Sequence, residues 1–221
     1  MNGYSLGDAT GEEPAPGGLR ERRRRETQRE LSDAAIDLFE KHGVGGTTVD
    51  DIARRAGTSP RTFFRYFATK EAAVLPTPEE SESMLTAVSE AIGSGTPLLR
   101  ALESSWLAQI ALFDSRPDEH ERALRIRRLI GHEPTLLALA LRTEAEQVDA
   151  LTGVAVDAAG SDPDILTARA AIGIVFFIVR LAFDEWARRA ELGTSGSVRD
   201  IYLEIRRSTA AMSDQLGDSP A

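Results

Sequence analysis

The sequence of 221 residues contains no cysteine, and this absence removes three kinds of chemistry. Without thiols the chain forms no disulfide, holds no zinc through thiolates and performs no cysteine-based catalysis. Motifs that place other catalytic groups are also missing, namely G-x-S-x-G, H-E-x-x-H, G-x-x-x-x-G-K-[ST] and a G-x-G-x-x-G after a strand. We therefore predict that the protein is not an enzyme, uses no cofactor and works in the reducing cytoplasm.

Long apolar runs and histidine clusters are scarce as well. The longest apolar run, residues 170–179, has ten residues, whereas a membrane-spanning helix needs about 20. The N-terminus lacks the apolar segment of a signal peptide, and its composition predicts a disordered tail over residues 1–19. The three histidines are scattered, and the one flanked by acids, His120, reads as part of a solvated helix face rather than a metal site. We expect no membrane partner and no bound metal.

Charge of the two signs is unevenly distributed along the chain. The net charge is −9, which by itself argues against a nucleic-acid partner. Residues 20–70 nonetheless carry 12 Lys and Arg against 8 Asp and Glu, whereas residues 71–221 carry 14 against 24. This distribution predicts a basic head that faces a phosphate backbone and an acidic body that is repelled by it.

Residues 47–70 predict two short helices joined by a tight turn. Thr48 is placed to cap the first helix, whose first turn carries two aspartates. Gly57 can adopt the left-handed conformation that ends this helix, and Ser59 and Pro60 then supply a second cap and a first helical residue. Two helices of about eight residues with this separation form a helix-turn-helix.

The second of these helices, over residues 60–67, has two different faces. Phe63 and Phe67 lie one turn apart and can anchor it in a core, which leaves the other side chains pointing outwards. Arginine can donate two hydrogen bonds to a guanine, and Thr and Phe can contact a thymine methyl group. We therefore predict base contacts from Arg61, Thr62, Phe64 and Arg65.

Groups around this helix are predicted to bind DNA phosphates. Six arginines lie in residues 20–29, directly before an amphipathic helix. Such a run alone is typical of a solvated charge cluster, but beside a helix-turn-helix it favours phosphate or minor-groove contact. The expected phosphate contacts from the residues themselves are Arg22, Arg23, Arg24, Arg25, Thr48, Ser59 and Tyr66.

This segment resembles the DNA-binding domain of the TetR family of bacterial repressors over roughly residues 24–75, about a quarter of the chain. Phe64 and Tyr66 depart from the family, which usually has Tyr and often His at these positions. The resemblance implies a linking helix that starts at Lys70 and a phosphate contact from this lysine. Pro76 and Pro78 predict that this helix is short or broken, which places the domain boundary near residue 75. The matching residues are Leu38-Phe39, Gly43, Thr47-Thr48-Val49, Ile52-Ala53, Ala56-Gly57, Ser59, Phe63, Phe67 and Lys70-Glu71.

Every segment after this boundary favours helix, and turn residues separate the segments. With three helices in the head, the predicted fold class is all-α, with nine or ten helices. The predicted body helices cover residues 79–93, 97–115, 117–131, 134–160, 163–191 and 197–216. The predicted organisation is an N-terminal tail (1–19), a DNA-binding head (20–75), a ligand-binding and dimerisation body (76–216) and a C-terminal tail (217–221).

The helix predicted over residues 163–191 is apolar on nearly every side between residues 170 and 183. It is either buried within its own domain or covered half by its domain and half by a second subunit. A pair of helix-turn-helix heads reads a palindrome, which favours a homodimer formed by the last two helices. The candidate contacts are Ile174, Ile178, Leu181, Ile201 and Ile205.

The family resemblance further implies a small apolar or amphipathic effector that binds inside the body and changes the separation of the two heads. Aromatic residues at helical spacing are also the usual content of a plain core, and Arg180 could pair with Asp184 instead of a ligand. The candidate pocket residues are Trp106, Phe113, Arg127, Phe176, Phe177, Arg180 and Trp186.

These features predict a ligand-responsive transcriptional repressor that binds a palindromic double-stranded DNA operator as a homodimer. One alternative is an all-helical enzyme or small-molecule-binding protein with a non-functional DNA-binding head. Another is an architectural DNA binder without an effector. Retention on DNA separates the first alternative from the repressor, and preference for one DNA site separates the second.

Overall fold

The structure of the chain is a computed structural model that describes residues 16–159, 164–194 and 196–217. Within these ranges the chain forms nine α-helices, one 3-10 turn and no strand, which confirms the all-α prediction. The six predicted body helices agree with α4 to α9 to within two residues at each described end. The helices are α1 (Pro16–His42), α2 (Val49–Arg55), α3 (Pro60–Tyr66), α4 (Pro78–Gly93), α5 (Leu98–Asp114), α6 (Pro117–His132), α7 (Pro134–Ala159), α8 (Ile165–Glu191) and α9 (Val198–Gly217).

The head consists of α1, α2 and α3 around one hydrophobic core. Phe63 is fully buried and Phe67 nearly so, and their rings are 5.4 Å apart. They share this core with Leu31, Phe39 and Ile52. Burial of a phenylalanine side chain stabilises by about 1.5–3 kcal/mol. This pair is therefore the main attachment of the seven-residue α3, which is too short to be stable alone.

The first helix begins earlier than the sequence predicts. Residues 1–15 of the predicted tail lie outside the described residues, but residues 16–19 form the first turn of α1, so the prediction of a tail there is wrong. Pro16 suits a first helical position. Arg25 and Glu21 then pair four residues apart along the helix, as do Arg22 and Glu26. The arginine run is therefore helical.

Head and body meet at a short turn but share hydrophobic packing. A 3-10 turn over Glu71–Val74 and two following prolines separate α3 from α4, close to the predicted boundary. The hydrophobic core of the head, however, also contains Leu129 of α6 and Leu136 of α7. The head is therefore seated on the junction between α6 and α7.

The body is organised around α8, which packs against α5, α7 and α9. The 27 residues of α8 include an 18-residue window with a mean hydropathy of 2.0, which by length and composition would suffice for a membrane span. The central helix of a helical protein meets the same criterion, and α8 places one side in the core of the body. Its buried residues are Ile172, Val175, Phe176, Ile178, Val179, Ala182, Trp186 and Ala187.

Candidate nucleic-acid interface

Side-chain caps define the two helices of the helix-turn-helix. Thr48 Oγ1 accepts a hydrogen bond from Asp51 N, and the Asp51 carboxylate accepts one from Thr48 N, both at 3.2 Å. Gly57 has a φ of +67°, and Ser59 Oγ accepts from Thr62 N at 3.1 Å. The predicted caps and turn are thus confirmed. The hydrogen bonds from Thr48 lower the pKa of the Asp51 carboxyl, so this cap is ionised at neutral pH.

The face of α3 opposite its buried phenylalanine is exposed. Arg61 and Arg65 are exposed, and 58% of the Phe64 surface is accessible to solvent. The Phe64 ring meets the buried Phe63 ring edge to face at 5.7 Å, which supports it from one side. Two arginines and one aromatic ring therefore project into solvent from a helix whose opposite face is packed in the core of the head.

Contacts at this surface hold some of its polar groups in place. Arg65 Nη2 donates to Tyr66 Oη at 3.0 Å, and the guanidinium lies 4.9 Å from the Tyr66 ring centroid. A guanidinium carries five N–H donors, so this contact leaves others for DNA. Thr62 is half-buried, and its hydroxyl lies 3.0 Å from Ser59 Oγ. No hydrogen bond or ion pair joins Arg61 to another described residue, and its charge faces solvent.

Lys70, for which the family resemblance implies a phosphate contact, also has partners within its own subunit. Its Nζ donates to Val44 O at 2.7 Å and to Thr47 O at 2.8 Å, and it lies 4.0 Å from the Glu71 carboxylate. An ammonium group has three donors, and two of them are used by these carbonyls. Lys70 therefore holds the loop between α1 and α2, and the phosphate contact that the family resemblance implies would have to use its third donor.

We expect Lys70→Met to lower the free energy of unfolding by about 2 kcal/mol, because two buried carbonyls lose a charged donor. Urea denaturation measures this loss. Lys41→Met, at the exposed end of α1, is the control and should change stability by less than about 0.5 kcal/mol. Unchanged stability of Lys70→Met, combined with weaker binding to all DNA sequences, would instead indicate a phosphate contact.

The other predicted phosphate contacts differ in availability. Thr48 Oγ1 donates its proton to the Asp51 carboxylate at 2.5 Å, so the capping box already uses the hydroxyl that was predicted to bind phosphate. Arg22, Arg23 and Arg25 are exposed on α1, and Arg24 is half-buried. The ion pairs of Arg22, Arg24 and Arg25 with neighbouring glutamates are solvent-exposed and therefore weak enough for phosphates to replace. Ser59 is exposed and Tyr66 half-buried at the two ends of α3.

Most of the predicted pocket residues take part in packing or in ion pairs of the body. Four of them belong to one hydrophobic core, in which Trp106 meets Phe176 edge to face at 5.4 Å and Phe113 meets Trp186 edge to face at 5.1 Å between ring centroids. Phe177 is 49% exposed and lies outside this core. A recess of about 320 Å³ at the far end of the body is lined by other residues, among them Ile92, Pro97, Leu98, Ala155 and Ala168.

The two arginines predicted to bind a ligand are paired with carboxylates of the body. Arg127 Nη1 donates to Asp184 at 3.0 Å, and Arg180 Nε donates to Glu144 at 2.9 Å. Desolvation lowers the pKa of Arg127, although Asp184 opposes this shift. The alternative pairing of Arg180 with Asp184 is thus wrong, because Asp184 pairs with Arg127 of α6 and Arg180 pairs with Glu144. A ligand carboxylate would have to displace an existing partner.

The predicted dimer contacts fall into two groups. Ile178 and Ile201 are 5% and 1% exposed within the core of their own subunit, so they are wrong as direct contacts. Ile205 is half-buried. Ile174 and Leu181 are 51% and 39% exposed, and Phe177, which had been predicted to line a pocket, lies between them on the same face of α8. These three residues are spaced i, i+3 and i+7, but the predicted set with Ile178 has the equally helical spacing i, i+4 and i+7, so spacing alone does not select this face.

Comparisons with known proteins agree with the assignment of a helix-turn-helix to the head. The model of the family "Bacterial regulatory proteins, tetR family" matches residues 31–75, which contain the helix-turn-helix. The HTH-type transcriptional regulator TcmR of Streptomyces glaucescens is 32% identical over 179 residues, which cover 79% of this chain and 79% of that protein. A regulator named for mycofactocin biosynthesis, MftR of Mycobacterium tuberculosis, is 37% identical over 105 residues, or 48% of this chain and 53% of that protein.

A solved structure of NalD, the secondary repressor of the MexAB-OprM multidrug efflux pump of Pseudomonas aeruginosa, aligns with a TM-score of 0.45 and 19% identity. The alignment covers 83% of this chain and 94% of NalD. The assignment to a family rests instead on the similarity to TcmR, which extends through head and body. The chain therefore belongs to the TetR family of bacterial regulatory proteins and is a DNA-binding transcription regulator rather than an enzyme.

Proposed function

We propose that the protein is a homodimeric repressor that binds a palindromic operator and is released by a small-molecule effector. The observation that carries this proposal is the two-sided α3. Phe63 is buried in the head, while Arg61, Phe64 and Arg65 project into solvent on the other side. An exposed, basic, aromatic face on a rigid helix is suited to the major groove.

Each exposed group has a defined task in this mechanism. Arg61 and Arg65 donate to the O6 and N7 of guanine, and Phe64 contacts a thymine methyl group. Phosphates on either side bind the arginines at the start of α1, Ser59 and Tyr66. The phosphate contacts orient the head on the DNA, and the base contacts select the sequence, so specific binding needs both groups of contacts.

The dimer is formed by the exposed apolar face of α8. Ile174, Phe177 and Leu181 are each at least 39% exposed on one side of a helix whose other side is core. An exposed apolar stripe of this kind marks an interaction site. In a two-fold symmetric dimer, the same stripe of the second subunit covers it. The two heads then point the same way and engage successive major grooves.

The effector enters the body and changes the separation of the heads. The Trp106 Nε1–H group supports the proposal of an internal ligand, because it is buried and has no hydrogen-bond acceptor in the described part of the chain. A buried unpaired donor is costly, and the acceptor atom of a ligand would remove the cost. Because Arg127 and Arg180 are already paired, we propose an uncharged, mainly apolar effector with one hydrogen-bond acceptor. Its differential affinity for the two head separations sets the extent of release.

Selection of bound fragments from a random double-stranded DNA library tests this function. The proposal predicts an inverted repeat whose half-site centres are about 10–10.5 base pairs apart, or a multiple of this distance. A reporter promoter that carries the selected site should be silenced by the protein. Retention of DNA without an enriched sequence would indicate an architectural binder, and no retention would contradict DNA binding by the head.

A further inference from the structure

The head is joined to the body by a ladder of ion pairs between α1 and α6. Three rungs follow one another at intervals of three or four residues on both helices, and each rung contains at least one arginine. The rungs are Arg29 with Glu119, Arg122 with Asp33, and Arg125 with Asp37 and Glu40. Leu129 of α6 and Leu136 of α7 supply hydrophobic contacts between head and body in addition to this ladder.

The last rung is the most complete. Arg125 Nη2 donates to Asp37 Oδ1 at 2.7 Å and to Glu40 Oε2 at 2.6 Å, while its Nε lies 3.0 Å from both Glu40 oxygens. A planar guanidinium held by two carboxylates fixes direction as well as distance. Arg125 therefore sets the rotation of α1 about its contact with α6.

Asp37 extends this rung into the helix-turn-helix. Its second oxygen, Oδ2, accepts from Arg55 Nη2 of α2 at 2.8 Å. The hydrogen bonds from Arg125 and Arg55 lower the pKa of Asp37, so the carboxylate stays charged at neutral pH. One carboxylate on α1 thus links α6 of the body to α2 of the head.

The small free energy that such exposed ion pairs contribute indicates a role in orienting the head rather than in stabilising the fold. Asp37 is 35% exposed and Arg55 is 59% exposed, and ion pairs of this exposure contribute little to folding. The hydrophobic contacts across the joint supply the attraction, but apolar contacts are not directional. The charged contacts supply the direction.

We propose that Asp37 is a positioning residue that fixes the angle of each helix-turn-helix relative to the body, and thereby the half-site spacing that the dimer accepts. This inference rests on the proposed dimeric function. One extra base pair moves the half-sites by about 3.4 Å and rotates them by about 35°. A head held through Arg125, Asp37 and Arg55 resists this movement. Without the Asp37 link the head can pivot on Leu129 and Leu136, because the ion pairs that remain between α1 and α6 are partly exposed and weak.

The test measures operator affinity as a function of half-site spacing. Operators from the selection experiment are shortened or lengthened by one base pair, and binding is followed by fluorescence anisotropy. For the unchanged protein we expect each altered spacing to reduce affinity on the order of tenfold. For Asp37→Asn, which keeps the shape of the side chain but loses its charge, we expect this penalty to fall to about twofold. Affinity for an isolated half-site should stay the same.

Two further variants control this test. Asp149→Asn removes a carboxylate that pairs with Arg169 at 2.9 Å within the body and is 59% exposed, against 35% for Asp37, and it should keep the full spacing penalty. Arg125→Gln breaks the same link from the α6 side and should relax the spacing as Asp37→Asn does. A merely destabilised head would lower affinity at every spacing by the same factor.

The outcomes separate this inference from the proposed function. If the unchanged protein prefers one spacing and both Asp37→Asn and Arg125→Gln retain that preference, the positioning role is overturned while the dimeric function stands. If the unchanged protein shows no spacing preference, the proposal that a dimer binds a palindromic operator fails, and the inference about Asp37 fails with it.

Discussion

Replacing Arg61 by alanine is expected to weaken operator binding by about 1–3 kcal/mol, which is roughly a 5- to 150-fold loss of affinity. Arg61 is exposed at the start of α3 and is joined to no other described residue by a hydrogen bond or ion pair. Its guanidinium donors are therefore available to a guanine edge. Sequence preference at the contacted base pair should relax in the same variant. Competition binding with operators mutated at each position measures both effects.

A second arginine provides the control for this prediction. Arg207 is exposed on α9, where its side chain donates to the Leu203 carbonyl of the same helix, and Arg207→Ala should leave operator affinity unchanged. Both variants lose one positive charge, so the comparison removes the effect of net charge. Equal losses on operator and on random DNA for Arg61→Ala would show that this arginine binds phosphate and reads no base.

Replacing Phe177 by glutamate is expected to separate the subunits and to weaken operator binding by about 10²- to 10⁴-fold, because a monomer engages only one half-site. Phe177 lies between Ile174 and Leu181 on the exposed face of α8. In a two-fold interface each substitution occurs twice, and two like charges would be brought into an apolar contact. Arg180 lies 5.5 Å from the Phe177 ring, but it is already paired with Glu144. Light scattering reports the mass, and anisotropy reports the operator affinity.

Leu112→Glu is the matched control for Phe177→Glu. Leu112 is 51% exposed on α5, against 49% for Phe177, but it lies outside the α8 stripe. The control should remain dimeric with unchanged affinity for the operator. A monomeric parent protein, or a Phe177→Glu variant that stays dimeric and binds the operator normally, would rule out the proposed interface.

The parts of this protein that local chemistry determines were predictable from the sequence. The caps at Thr48 and Ser59, the left-handed Gly57 and the two buried phenylalanines of α3 each depend on residues within four positions of one another. The same holds for the ends of the body helices, where glycine and proline end one helix and begin the next.

The parts that depend on contacts between distant segments were not predictable. Lys70 caps carbonyls 23 and 26 residues away, which no local pattern indicates. On the nearly all-apolar α8, composition alone could not separate the buried Ile178 from the exposed Phe177, because both suit a core. The joint around Asp37 links segments 18 and 88 residues apart, and each partner alone resembles an ordinary solvated charge.

Cross-linking from α3 to operator DNA tests the central claim most directly. The photoreactive residue p-benzoylphenylalanine replaces Phe64, whose ring is exposed beside Arg61 and Arg65, and the complex with the selected operator is irradiated. We predict a covalent adduct to a major-groove base in each half-site, and none when the same group replaces the exposed Leu112. A complex that forms normally and cross-links at neither half-site would contradict the placement of α3 in the groove.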